Sequence, residues 1–262
     1  MNDRRVVVVI ERDEEVRLLL RATLGEAGFE VHCAATGESG LALVRAKQPD
    51  TVTLDLVLPD MGGYEVLRRI REFSHTYILV VTARRDLRAT LKAFNAGADD
   101  YMVKPIRPRE LRVRVDGMLR RPRELTIPPI LTPREPPLVS PRLRASAKAY
   151  EHKGLAINAA TRAATLGGEA LQLTRTEFDL LYILLQRGSG VVTKAELVAL
   201  LGLVKREASA GDGGASGGGA AGTRDPGRIV ETHIGNLRRK LGDDARQPRW
   251  LRTVRGAGYT LA

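Results

Sequence analysis

The chain has 262 residues, 43% hydrophobic and 28% charged, a composition that excludes a fibre or a wholly disordered protein and suits two modest domains. No apolar run is long enough for a spanning helix. The run Val6–Ile10 is stopped by Glu11, Arg12 and Asp13, too soon for a signal peptide, and the single cysteine, Cys33, excludes an internal disulfide or a Cys-cluster zinc site, so the reading is a soluble cytoplasmic protein with no membrane partner.

The formal charge of +11 is uneven. Residues 1–120 carry 20 basic and 18 acidic side chains, and residues 121–262 carry 22 and 13. A near-neutral module therefore precedes a basic one, the pattern expected when the second meets a polyanion.

In chain order, residues 4–10 form a β-branched apolar run suited to a strand buried on both faces. Val16, Leu19, Leu20 and Leu24 recur at helical spacing and predict a helix over 14–27, with Gly28 as its cap. Further strands are predicted at 30–34, 51–56, 77–82 and 101–103, alternating with helices at 38–47, 64–73, 87–96 and 108–120. Five such units predict a doubly wound, five-stranded parallel α/β domain, with its chemistry at the carboxyl ends of the strands. The residues there are Glu11, Arg12, Asp55, Thr82 and Lys104. Each alone reads more readily as a satisfied strand end. Together, Asp55, Thr82 and Lys104 on successive strands offer a carboxylate nucleophile for a phosphoryl group, with a hydroxyl and an ammonium to hold its oxygens.

Residues 122–141 hold seven of the 13 prolines and cannot form a helix or a central strand. The predicted organisation is a first domain over 1–121, an extended linker over 122–150, and a second domain over 151–262. Residues 211–222 hold seven of the 26 glycines and mark a flexible insertion, 208–223, within the second domain. That domain begins with strands at 155–158 and 163–173, the latter containing a Gly167-Gly168 turn. The capping boxes Thr174…Glu177 and Thr193…Glu196 open helices over 175–186 and up to about residue 201. Asp225-Pro226 opens a third, 227–241. Strands at 249–255 and 259–261 flank Gly256-Ala257-Gly258. This is an α+β winged helix-turn-helix pattern. The third helix turns Val230, Ile234, Leu237 and Leu241 inward and carries Arg228, Thr232, His233, Asn236, Arg239 and Lys240 on its other faces. Such charges on an isolated helix are more often a solvated face. Here, after two shorter helices, they suit a DNA major groove, with Asn236 matched to an adenine edge and Arg255 carried by the hairpin to the minor groove or backbone.

Residues 4–120 resemble the receiver domain of two-component response regulators. The resemblance rests on Thr53-Leu54-Asp55-Leu56-Val57-Leu58-Pro59-Asp60-Met61-Gly62-Gly63-Tyr64-Glu65-Val66-Leu67, on Val81-Thr82-Ala83-Arg84, and on Gly97-Ala98-Asp99-Asp100-Tyr101-Met102-Val103-Lys104-Pro105. It implies Asp55 as phosphoacceptor, Thr82 and Lys104 as phosphoryl partners, Tyr101 as the aromatic switch, a cis Lys104–Pro105 bond, and a sensor histidine kinase as donor. It also implies Mg²⁺ held by Glu11, Asp55 and the Val57 backbone. The sequence departs from the family at one point. Two adjacent carboxylates normally follow the first strand, and here the pair is Glu11 and Arg12. Arginine has no lone pair to offer a metal and stays cationic. Asp13 would substitute only if the loop shifted register, and the Arg12 guanidinium alternatively pairs with Asp55. The expectation is weak or absent Mg²⁺-dependent phosphorylation, or switching independent of it.

Thr232-His233-Ile234, Leu237-Arg238-Arg239-Lys240-Leu241-Gly242-Asp243-Asp244 and Arg252-Thr253-Val254-Arg255-Gly256-Ala257-Gly258-Tyr259 resemble OmpR/PhoB-type effector domains. The resemblance implies double-stranded promoter DNA, in direct repeats, as the partner. His233, Arg238, Thr253 and Arg255 would meet phosphate or sugar, with Arg228 and Asn236 near the groove. It implies contact with RNA polymerase through the connection that the 208–223 insertion lengthens. It also implies a homodimer of receivers through Asp99, Asp100, Glu110, Arg114 and Arg121, with Thr90 where relatives carry a basic residue.

The reading is a non-enzymatic, DNA-binding transcriptional regulator. The alternative is an orphan regulator controlled by a ligand or protein partner rather than by a kinase. A dehalogenase-like phosphatase needs a second aspartate two residues after Asp55, where Val57 stands. A nucleotide-dependent oxidoreductase needs a glycine-rich loop where Glu11-Arg12-Asp13 stand.

Overall fold

The computed structural model describes residues 5–120, 149–201 and 226–262. The proline-rich linker, the glycine-rich insertion, Arg121 and Asp225 lie outside the described residues.

The first module is a parallel sheet of β1 (Val6–Ile10), β2 (Glu30–Ala34), β3 (Thr51–Leu54), β4 (Tyr77–Thr82) and β5 (Asp100–Val103), in the order β2-β1-β3-β4-β5. The helices are α1 (Glu14–Glu26), α2 (Gly37–Lys47), α3 (Gly63–Phe73), α4 (Leu87–Asn95) and α5 (Pro108–Arg120). The continuous valine run of β1 follows from burial on both faces. Val7 and Val9 pack with Leu20, Leu24, Leu111 and Val115 of α1 and α5, while Val8 and Ile10 pack with Leu41, Val44, Val66 and Ile70 of α2 and α3. Asp13, Thr36 and Asp86 cap α1, α2 and α4 through their side-chain oxygens. Relative to the sequence reading, β3 ends two residues earlier, so Asp55 stands just beyond the ladder, and β5 begins one residue earlier, at Asp100.

The second module opens with an antiparallel sheet in the order β6-β7-β8-β9: β6 (Ala149–His152), β7 (Leu155–Asn158), β8 (Ala163–Leu166) and β9 (Glu169–Ala170). The sequence reading passes over β6, whose residues alternate between exposed and half-buried. The predicted 163–173 strand is two short ones around Gly167-Gly168, both at positive φ. Next come α6 (Arg175–Arg187), β10 (Val192–Thr193), α7 (Lys194–Leu200), α8 (Pro226–Leu241), β11 (Leu251–Val254) and β12 (Gly258–Leu261). Both predicted capping boxes are formed. Strands β10, β12 and β11 make the second small sheet, with β12 in the middle. It needs Gly258, because a Cβ there would stand 2.0 Å from the Val192 carbonyl oxygen.

The two modules share packed surface. One apolar cluster runs without a break from Phe94, Ala98 and Tyr101 of the first module to Ile234 and Leu237 of α8 and to the interior of α6. α6 is buried almost all round, from Thr176 to Leu185.

Gly63 sets the distance between α3 and the loop carrying Asp55. A Cβ there would lie 2.4 Å from the Asp55 carbonyl oxygen and 2.5 Å from the Leu56 Cα. Backbone cannot yield as a flexible side chain does. Gly63→Ala is expected to destabilise the protein by about 1–3 kcal/mol, read as a lower denaturation midpoint. An unchanged midpoint would contradict this packing.

Candidate phosphoacceptor pocket and DNA interface

Asp55, Thr82, Lys104 and Glu11 converge at the carboxyl ends of the parallel strands. Asp55 is 4% exposed. Its Oδ1 accepts from the Val57 amide at 3.3 Å, and its Oδ2 accepts from Lys104 Nζ at 2.8 Å. The same ammonium lies 2.7 Å from Glu11 Oε2, so one cation bridges two carboxylates. The Lys104–Pro105 bond that carries it is cis, as expected. Burial opposes the charge on Lys104, but its contacts to Asp55 and Glu11 outweigh burial and hold its pKa above the usual lysine value. For Glu11, burial dominates and raises the carboxyl above its ordinary range, despite the lysine contact and the Asp13 amide. Thr82 is fully buried, and its hydroxyl oxygen has no hydrogen-bond partner among the described residues.

Arg12 is exposed, and its carbonyl accepts from Arg17 at 3.1 Å. Asp13 is committed elsewhere, since its Oδ1 accepts from the Val16 amide at 3.0 Å to cap α1. Freeing it for a metal would uncap that helix. The donors facing the pocket are therefore two carboxylates, both already held by Lys104. Among the described residues no group of three or more His, Cys, Asp or Glu side chains is placed to hold a metal ion. This set does not fit a Mg²⁺ site without displacing Lys104. Tyr101 is buried on β5, with its hydroxyl donating to the Arg84 carbonyl at 2.8 Å.

The α8 residues divide into three groups. Arg228 and Arg239 are exposed on the helix, as is Arg255 on the hairpin. Arg238 ties helix to hairpin, donating to the Leu251 carbonyl and Thr253 Oγ1, both at 2.8 Å. Thr232 donates to the Arg228 carbonyl within the helix, and Lys240 pairs with Glu177 of α6 at 2.6 Å. His233 and Asn236 face the first module. His233 Nε2 is 3.3 Å from the Asp99 carbonyl, with its ring edge-on to Phe94, and Asn236 Nδ2 donates to the Phe94 carbonyl at 3.1 Å.

The expected dimer residues are placed unevenly. Asp100, Glu110 and Arg114 pair within the protomer, where Arg114 reaches Asp100 at 2.7 Å and Glu110 at 2.8 Å. Asp100 chiefly, helped by Glu110, raises the arginine pKa against the cost of burial. Asp99 is 0% exposed. Its Oδ2 accepts from Arg71 at 2.6 Å and the Ile78 amide at 2.9 Å, and its Oδ1 accepts from the Thr176 amide at 3.0 Å and Thr176 Oγ1 at 2.7 Å. Burial pushes this carboxyl up, but Arg71 and the Thr176 and Ile78 donors outweigh it and hold the pKa below the usual aspartate value. Sequence reasoning missed Arg71, Tyr77, Arg162, Thr176 and Asp179. Tyr77 donates to Asp179 Oδ2 at 2.6 Å, and Arg162 pairs with the other oxygen of that carboxylate. The one available signal was Asp179 standing among apolar neighbours on α6.

Comparison with known proteins agrees with this layout. Residues 7–116 match the response regulator receiver domain family, and residues 221–261 match the family described as transcriptional regulatory protein, C terminal. The chain is 34% identical to the transcriptional regulatory protein AfsQ1 of Streptomyces coelicolor, over 97% of each chain. It is 32% identical to the response regulator MprA of Mycobacterium avium, again over 97% of each. A solved structure of a RitR mutant superposes with a TM-score of 0.69 at 20% identity, covering 98% of this chain and 99% of that one, a likeness of fold.

Removing the bridging cation tests the pocket. Lys104→Gln should raise the Glu11 pKa further, because the strongest lowering contact is lost and the Asp13 amide alone then opposes burial and the neighbouring Asp55 charge. A raised folded-state pKa means that Glu11 costs stability once ionised, so stability should fall more steeply as pH rises through that pKa. Carboxyl carbon NMR reads the titration, and an unchanged Glu11 curve would contradict the bridge.

Proposed function

The chain is a response regulator of the OmpR/PhoB type, with a receiver domain and a transcriptional-regulatory DNA-binding domain, and from that premise we propose how it senses and what it touches. The domains are taken as 1–121 and 151–262, joined by a linker at 122–150, with an insertion at 208–223, in a cytoplasmic protein. Among the described residues no helix is long and apolar enough to cross a membrane.

Asp55 is the phosphoacceptor. The observation that carries this is the single ammonium of Lys104 held between Asp55 and Glu11, beside the unpartnered hydroxyl of Thr82. Once a histidine kinase transfers a phosphoryl group to Asp55, Lys104 and Thr82 are placed to take its oxygens, and Tyr101 on β5 responds to the change at Thr82. Receiver domains of this family typically use Mg²⁺ for the transfer. In this chain Arg12 supplies no ligand and Asp13 caps a helix, so the Mg²⁺-dependent step is weak, and switching depends little on phosphorylation. The second reading, an orphan regulator set by a ligand or partner, is favoured by this same deficit.

Double-stranded promoter DNA in direct repeats is the target. Arg228 and Asn236 sit near the groove, His233, Arg238, Thr253 and Arg255 meet phosphate or sugar, and Thr232, Arg239 and Lys240 complete the DNA-contact set. Asp100, Glu110 and Arg114 would have to exchange their internal ion pairs for intermolecular ones in a homodimer. Breaking the largely buried Arg114–Asp100 pair opposes that exchange, so the dimer is weak without DNA. RNA polymerase is the further partner.

Two measurements test this. Acetyl phosphate with Mg²⁺ should label the unmutated protein slowly, and Arg12→Asp should give a large Mg²⁺-dependent gain. Fast Mg²⁺-dependent labelling of the unmutated protein would overturn the account of the pocket. Binding to a promoter fragment should weaken as salt rises, because phosphate neutralisation releases counterions. Salt-independent binding would exclude the DNA-contact set.

A further inference from the structure

The seam between the two modules encloses a cavity of about 170 Å³, where a single water needs about 10–15 Å³. Phe94 and Leu173 give it an apolar wall, and its charged lining comes from both sides: Arg71 from α3, Glu177 from α6, and Arg239 and Lys240 from α8. Two of these cations are already answered. Arg71 pairs with Asp99 at 2.6 Å and also donates to the carbonyls of Gly97 and Thr76. Lys240 pairs with Glu177 at 2.6 Å, and the same carboxylate accepts from the Thr174 amide at 2.8 Å. Arg239 is different. It is exposed, donates to Asn236 Oδ1 at 3.1 Å, and has no carboxylate partner among the described residues. A guanidinium offers five N–H donors and an ammonium three, so this wall has donors to spare and no spare acceptor. His75 lines the cavity beside these four charged groups, and the α4–β5 turn and the loop before α6 add no titratable side chain to the lining. Burial, then Arg71, with Lys240 adding, holds the His75 pKa below the usual histidine value, against contacts to the Leu173 backbone and Gln172. The cavity is therefore at positive potential.

We infer that this cavity binds a small dianion, a molecule bearing a phosphate-like or dicarboxylate group, through Arg239, Lys240 and His75. The charge count sets the class. Asp99 cancels Arg71 and Glu177 cancels Lys240, which leaves Arg239 as the one uncompensated charge of the lining at neutral pH. An anion bound beside His75 draws a proton onto the imidazole, and that second positive charge matches a second negative one. The planar guanidinium suits the paired oxygens of either head group. Phe94 and Leu173 leave room for a compact apolar body beside it. The cavity shares no residue with the phosphoacceptor pocket, so the inference stands apart from the chemistry of Asp55.

The test uses the full chain without DNA, because Arg239 also belongs to the DNA-contact set. The probes are sulfate for a tetrahedral head group and malonate for a dicarboxylate, with sodium chloride at matched ionic strength as the control. Calorimetric titration reads affinity. The amide shifts of Gly97 and Leu173, which line the cavity from opposite modules, read its place. Imidazole NMR reads the His75 pKa. One dianion or both should bind, move both amides where chloride does not, and raise the His75 pKa. The tighter of the two names the head group. Arg239→Gln should weaken binding about tenfold, the loss of one charge-assisted contact. His75→Gln should bind more weakly than the unmutated chain and take up no proton on binding. Amide shifts no larger than those with chloride, for both probes, would overturn the inference. Affinity within about twofold of the unmutated chain in Arg239→Gln would overturn it too. Binding that left the His75 pKa unmoved would break the charge balance on which the dianion rests.

Discussion

The organisation of this protein depends on how one fully buried carboxylate, Asp99, is satisfied. An ionised group taken out of water is stable only when paired and fully hydrogen-bonded. Asp99 meets that requirement with four donors, and half of them come from the other module. The pairing of receiver with effector is thus part of what permits the charge to be buried. Had Asp99 been an alanine, the continuous apolar cluster from Phe94 to Leu237 would still favour contact. Contact by apolar area alone is not directional, whereas the carboxylate fixes the position of the α6 terminus.

The same strands that bear this contact also carry the pocket residues Thr82 and Lys104 at their other ends. β4 and β5 each run from the seam to the pocket, with hydrogen bonds from Asp99 to Ile78 at one end and from Lys104 to Thr82 at the other. At about 3.3 Å per residue, the two ends stand roughly 16 Å apart. The pocket offers two carboxylates already held by Lys104, whereas the seam is well supplied with donors.

Much of the receiver was legible because its strands are buried on both faces, and Val7, Val8, Val9 and Ile10 announce that without any partner information. The pocket was legible because its residues sit one after another at strand ends, and the capping boxes because they are local. β6 was not legible, since Ala149–His152 has no fully buried residue to betray it. The seam was not legible either. Asp99 and Thr176 are 77 positions apart, and each has an ordinary local explanation, one as a surface ion-pair residue and the other as a helix first-turn residue. Periodicity likewise assigned His233 and Asn236 to the outer faces of α8, but it carries no information about what covers those faces.

In the DNA-free chain, receiver and effector are held together as one body through Asp99 and the shared apolar cluster. ¹⁵N relaxation of the full-length protein addresses it most directly, because backbone amides report the tumbling of whichever body carries them. Amides of β1–β5 and of α6–α8 should share a single rotational correlation time. Two distinct correlation times, each matching a freely tethered module, would contradict it.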